Sequence, residues 1–259
     1  MLRFVSLVSL ALLGLLCTCG PAPADAEQEV VTAEGLIDRA IQAHGMERWD
    51  SLVSARFVFR ERTYSVDNRQ GRFAYTRTFL DSSGLTVRDT LSNDGLIRDQ
   101  AGIRIPLSTK DSAAYAGSVN SVRYFFMLPY GLQDPAVRAT LLDTVTIDDG
   151  LYHRVEVRFD EEGGGDGFDD VYHYFFRDDT GELDYLAYTF SDDDGGLRFR
   201  KAINKRRVGG VLVQDYINYG VDGQDDRAID DVDERYRRGE LPELSQIINT
   251  EVRIEGGGQ

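Results

Sequence analysis

The chain has 259 residues, 44 acidic against 29 basic, for a formal charge of −15, and 42% of it is hydrophobic. So acidic a chain lacks the clustered cations that displace counterions from phosphates, which excludes nucleic acid as a partner; the charge instead keeps the protein soluble and monomeric. Both cysteines lie in the first 19 residues, so the remainder has no disulfide and no thiolate chemistry.

In chain order the first element is a leader. Met1 and Arg3 open onto an apolar run from Phe4 to Leu16 that is too short to span a hydrocarbon core of ~30 Å, and the run stops at Cys17-Thr18-Cys19-Gly20. Residues 1–18 read as a signal peptide, Cys19 as the lipidated residue, and 19–30 as a tether to a membrane surface of the cell envelope, in the periplasm or at the outer membrane. Ordinary secretion, with cleavage after Ala24 or Ala26, is the alternative. Residues 31–255 read as a single domain and 256–259 as a flexible tail.

Ala33 to His44 places Leu36, Ile37, Ala40 and Ile41 on one face, with Thr32 as N-cap and Gly45 as the stop, which predicts an amphipathic helix. The pattern then changes to period two. Strands are expected at Ala55–Val66, Arg72–Leu80, Leu85–Leu91, Leu96–Asp99 and Gly102–Leu107. From Lys110 to about Met127, Tyr115, Val119, Val122 and Phe126 recur at helical spacing until Leu128-Pro129-Tyr130-Gly131 ends the helix. Strands resume at Ala139–Ile147 and Tyr152–Phe159, followed by Asp170–Phe176, Leu183–Phe190 and Val211–Tyr219. The last three carry bulky apolar groups on both faces, so both sides of the sheet there are covered. Arg198–Arg207 reads as an arginine-rich strand. A short helix near Ile229–Arg238 and a strand at Leu244–Ile254 close the chain. The expected fold is mainly β: a curved antiparallel half-open barrel of about 10–11 strands with helices on its concave face.

Several segments carry a resemblance. His44-Gly45 with Trp49, Ser118 to Pro129, Asp134-Pro135-Ala136-Val137, Asp184 to Tyr188, Gly196 to Arg200 and Asp215 to Tyr219 resemble a family of secreted bacterial proteins of unknown function, over nearly the whole mature chain. That family looks like a branch of the periplasmic lipoprotein-carrier superfamily. The resemblance implies a half-open β-barrel plugged by helices, with an apolar cavity for acyl chains, and it brings no catalytic residue. Gly45-Met46 stands where the family usually has Gly-Gly.

No catalytic motif, cofactor site or metal site emerges. The chain has no nucleophile elbow, no phosphate-cradling loop with lysine and no His-Glu-x-x-His helix. His153 and His173, on neighbouring strands, are placed to meet across a ladder, and alone they make a thin metal site. Lys110, Lys201 and Lys205 show no setting that activates an amine. The acidic stretches Asp192–Gly196, Asp166–Asp170 and Asp225–Asp233 lack the ligand spacing of a helix-loop-helix calcium site and read as solvated turns. Arg56, Arg60 and Arg62 are expected to pair with nearby aspartates.

Aromatic residues are the best clue to a ligand. Tyr124, Phe125, Phe126, Tyr185, Tyr188, Tyr216 and Tyr219, with Arg198 and Arg200 at the mouth, are expected to line a pocket for a lipid, an acyl chain or a lipoprotein. Two other readings stand beside this non-catalytic carrier. One is an interaction lipoprotein whose cavity is filled by its own side chains; the other is an envelope hydrolase using converging carboxylates such as Asp184 and Asp215.

Overall fold

The computed structural model describes residues 30–47, 49, 54–69, 72–162, 168–191, 195–223 and 229–255. The expected signal peptide, the Cys19 lipidation site, most of the tether and the tail lie outside these residues, as do Asp166, Asp192–Asp194 and Asp225–Asp226 of the acidic stretches.

Helix α1 (Ala33–His44) begins where Thr32 Oγ1 accepts the Gly35 N–H at 3.1 Å. It ends in a left-handed Gly45 at φ 70°, with Gly45 N–H donating to the Gln42 carbonyl and Met46 N–H to that of Ile41. Helix α2 (Thr109–Phe126) is capped by Ser108, whose hydroxyl accepts the Asp111 N–H. It stops before the cis Leu128–Pro129 bond and a 3₁₀ turn at Tyr130–Gln133. A short α3 (Val232–Arg237) lies near the C-terminus.

Among the described residues fourteen antiparallel strands form two seven-stranded sheets, and neither closes into a barrel. Sheet A contains β1 (Ser54–Phe59), β2 (Arg62–Arg69), β3 (Arg72–Leu80), β4 (Thr86–Ser92), β5 (Gly95–Gln100), β6 (Ile103–Ile105) and β14 (Thr250–Glu255), the last pairing with β1. Sheet B contains β7 (Val137–Ile147), β8 (Gly150–Phe159), β9 (Tyr172–Arg177), β10 (Leu183–Phe190), β11 (Gly196–Val208), β12 (Val211–Asp222) and β13 (Glu243–Ile247), in order along the sheet.

Two runs read as single strands are each divided. Arg60 and Glu61, both at positive φ, make a two-residue turn inside Ala55–Val66, and this turn lacks the Asn-Gly chemistry that announces one in sequence. Leu244–Ile254 breaks at Ile248-Asn249, where the Asn249 N–H is held by Asp215 Oδ1 at 2.9 Å and the chain leaves sheet B for sheet A.

The main core lies between the two sheets and takes in α1, buried residues of both sheets and the end of α2. Strand alternation gives sheet B a second buried face. Phe175, Tyr185, Leu197 and Phe199 point away from the main core and are covered by Ile229, Val232 and Leu241 around α3. This second cover explains the strands that are apolar on both faces. Helix α2 leans on β3, β4 and β5 of sheet A.

Candidate functional site

A cleft of ≈ 1250 Å³ opens between α1, one face of α2, the 3₁₀ turn and the β7–β8–β9 side of sheet B. The α2 wall includes the small residues Ala113, Ala114, Gly117 and Ser121, which share a face because Gly117 is four and three positions from the two alanines and Ser121 is four from Gly117. The opposite floor is apolar and aromatic: Val137, Ala139, Phe159 and Tyr172 from the strands and Tyr124 and Phe125 from α2. Along the α1 side the rim is acidic, with Glu34, Asp38 and Asp134; Asp38 accepts from Gln133 Nε2 at 3.0 Å and Asp134 from the Ala136 N–H at 2.9 Å.

Two arginines serve the aromatic side. Arg123 lines the cleft, rests over the Tyr75 ring at 4.7 Å and donates through Nη2 to Asn120 Oδ1, while its Nε is buried without an acceptor. Arg200 reaches from β11 to lie over the Phe125 ring at 3.8 Å and donates to the Tyr188 hydroxyl at 2.8 Å. Among the described residues neither makes an ion pair with a carboxylate. The tyrosine hydroxyls are neutral groups: burial pushes Tyr124, Tyr172 and Tyr174 well above the ordinary phenol range and Tyr216 up to about 12.

The structure divides the expected ligand-binding set. Tyr124 and Phe125 line the cleft, with Tyr188 and Arg200 packed directly behind Phe125. Tyr216 is buried in the main core and its hydroxyl accepts from Gln214. Phe126 turns to sheet A and stacks on Phe57 at 3.8 Å. Arg198 lies near the start of β11, between β10 and β12, paired with Asp222 and lying over Phe190. Tyr185 and Tyr219 belong to the opposite face of sheet B with Tyr236, so they share no cavity with the others. The reason is the period of two, which sends Tyr185 and Tyr188 of β10 to opposite faces. Phe159, Tyr172 and the acidic α1 residues were missed, because the cleft joins elements distant in sequence.

Other sequence expectations are settled locally. His153 stands opposite Phe176, not His173, and holds Asp178 at 2.7 Å. His173 faces Glu156 and Ala187 and is fully buried. Burial would lower the Lys205 ammonium, but hydrogen bonds to Asp184 and Glu182 outweigh it and raise it, and Lys201 is raised in the same way by Asp148 and Tyr236. That is the reverse of an activated amine. Asp184 is engaged by Lys205 and the Tyr152 hydroxyl, and Asp215 by Arg206, Asn204 and the Asn249 N–H, so the two carboxylates serve separate networks. Arg60 and Arg62 lie over Phe59 and Phe79 instead of pairing with aspartates.

A profile for a family of unknown function, DUF6503, matches residues 12–247. The chain belongs to this family. The matched span takes in every element from α1 to the end of β13. No curated protein matches the chain. Among solved structures it is similar to a LolA superfamily protein of Nitrosomonas europaea, at 12% identity and TM-score 0.49, over 86% of this chain and 94% of that one. It is also similar to the lipoprotein LppX of Mycobacterium tuberculosis, at 12% identity and TM-score 0.26, over 63% of this chain and 91% of that one.

Proposed function

We propose that this protein is a non-catalytic envelope lipoprotein, anchored through Cys19, whose single domain of residues 31–255 takes up an acyl chain or lipid in the cleft beside α2. The observation that carries the reading is the cleft itself, ≈ 1250 Å³ with an aromatic floor and a wall of Ala113, Ala114, Gly117 and Ser121 that leaves its space unfilled. A ligand burying apolar surface there gains roughly 25 cal/mol per Å² removed from water. Arg123, with no described carboxylate in ion-pair range, is a donor suited to an acidic or phosphorylated headgroup. Among the described lining residues there is no histidine, lysine or cysteine, the Tyr124 and Tyr172 phenols are neutral, and of the carboxylates Asp38 and Asp134 are engaged by Gln133 and the Ala136 N–H.

A second reading has its own observation. Tyr124 and Tyr174 share a hydrogen bond at 2.6 Å, and Phe125, Arg200 and Tyr188 stack together, so the space under the end of α2 is occupied by side chains. The test is organic extraction of the purified full-length protein, with mass spectrometry of the released lipid, beside an Ala114→Trp variant. Ala114 is exposed and lines the cleft, so tryptophan fills the space without entering the core. The expected outcome is near-stoichiometric lipid from the unaltered protein and a several-fold loss from the variant at unchanged melting temperature. Covalently attached chains stay on the protein and are not counted. Only trace lipid from both would transfer the reading to a filled-core interaction protein.

A further inference from the structure

We propose that the hairpin end of sheet A docks onto an anionic membrane surface. Because β1 to β6 are sequential antiparallel neighbours, the β1–β2 turn, the β3–β4 loop and the β5–β6 turn all fall at one end of the sheet. That end presents Leu80, Leu85 and Ile103, which are 68%, 44% and 69% exposed. The Ala101 N–H donates to the Thr86 carbonyl at 2.8 Å, which seats the β5–β6 turn directly beside the start of β4. Three aliphatic side chains at adjacent turn tips form an apolar projection, not the scattered single exposures that need no explanation.

The charges around this projection set its partner. Arg60 and Arg62 lie over Phe59 and Phe79, at 5.1 and 4.9 Å, with no described carboxylate in ion-pair range. Arg88 and Arg104 are exposed on either side of Asp99 in the ladder, and Glu61 sits within the β1–β2 turn. The remaining acid of β1 to β6 at this end, Asp81, is engaged by its own loop: it accepts the backbone N–H groups of Ser83 and Leu85 and the Gln100 amide. Within β1 to β6 this end carries Arg60, Arg62, Arg88 and Arg104 against Glu61, Asp81 and Asp99, a local balance of +1 in a chain of −15; Arg69 and Arg72 lie at the opposite end, and Arg77 and Arg98 are taken up by buried Asp89. An anionic surface therefore attracts this end and repels the rest of the molecule, which fixes the approach with the three aliphatic side chains foremost. They enter the headgroup layer while the arginines meet lipid phosphates. The docking does not depend on the cleft being occupied.

The test uses the full chain with Cys17→Ser and Cys19→Ser, so that a single introduced cysteine carries a polarity-sensitive fluorophore. One version is Leu80→Cys at the tip; the other is Leu151→Cys, an exposed position on sheet B. With vesicles of phosphatidylglycerol and phosphatidylcholine, the tip label is expected to shift to the blue, the shift to fade in high salt, and the sheet B label to stay unchanged. Vesicles of phosphatidylcholine alone are expected to give no shift. Each arginine near an anionic surface is worth about a fivefold gain in partitioning, so Arg60→Glu with Arg62→Glu is expected to weaken the tip response by at least about 25-fold. A silent tip label, equal shifts at both positions, or an equal response to neutral vesicles overturns the proposal. So does a shift that grows with protein concentration in the absence of vesicles, which would mark contact between copies of the chain.

Discussion

Single residues fix the junction between α1 and the sheets. Gly45 adopts φ 70°, and a Cβ there would sit 2.6 Å from the Gly210 carbonyl oxygen. Gly45→Ala is therefore expected to cost the ~1–2 kcal/mol of a left-handed backbone together with the displacement of β12. Gly84 gives the comparison: its φ is 77° but nothing lies within 4 Å, so Gly84→Ala should cost the backbone part alone. Urea denaturation of both variants decides it, and equal losses would remove the role assigned to the Gly210 contact. Met46 is buried in the core, so the left-handed requirement is met by Gly45 alone. The capping signals at Thr32 and Gly45 were legible because they are local. The contact with Gly210 was not, since it joins residues 165 apart in sequence.

Among the elements, α2 depends on a polar bracket from sheet A. Asp89 is fully buried and accepts from Arg77 at 3.0 and 2.6 Å and from Arg98 at 2.6 and 2.9 Å. Burial pushes its carboxyl up, and the hydrogen bonds from Arg98 and Arg77 outweigh that and hold it below the usual range. The two guanidiniums then grip the helix: Arg77 donates to the Ser118 hydroxyl at 2.6 Å, and Arg98 covers the Tyr115 ring at 3.6 Å. Asp89→Ala strands both arginines in the interior and is expected to cost about 3–5 kcal/mol, with α2 becoming the first protease-sensitive segment. A loss under about 1 kcal/mol with α2 still protected would show the bracket to be dispensable. The helix itself was readable from Tyr115, Val119, Val122 and Phe126. Its docking on β3–β5 was not, because arginines and an aspartate in strands carry no sign of being paired inward.

For the whole molecule, acid is the revealing variable. His44 is fully buried, its Nε2 accepts the Leu183 N–H at 3.2 Å, and burial, assisted by Lys205, lowers its pKa from 6.5 to about 4. His173, buried without a hydrogen-bond partner on either ring nitrogen, is lowered in the same direction, again chiefly by burial. Between these values the unfolded chain binds more protons than the folded one, so stability is complete above about pH 6.5 and declines as the pH falls towards 4. His44 alone accounts for up to about 3 kcal/mol of the decline. Asp233 acts in the opposite sense, because burial raises its carboxyl and acid relieves it. Urea midpoints at about pH 7.5 and about pH 4.5 should differ accordingly, and His44→Gln should shrink the difference; identical midpoints in the unaltered protein would contradict a neutral buried His44.

By itself the sequence determined the mainly antiparallel β class, the two principal helices with the caps of α1, most strand positions and the absence of thiol chemistry after Cys19. These rest on periodicity, capping residues and composition, all of which act over a few neighbouring residues. Only the tertiary structure decided that fourteen strands form two sheets, that sheet B has two buried faces, and that the aromatic set splits between them. A strand's alternation says that two faces differ; which face meets α2 and which meets α3 depends on contacts between residues far apart in the chain. The cleft has the same origin, since its walls come from α1, α2 and β7 to β9, and no single segment carries its shape.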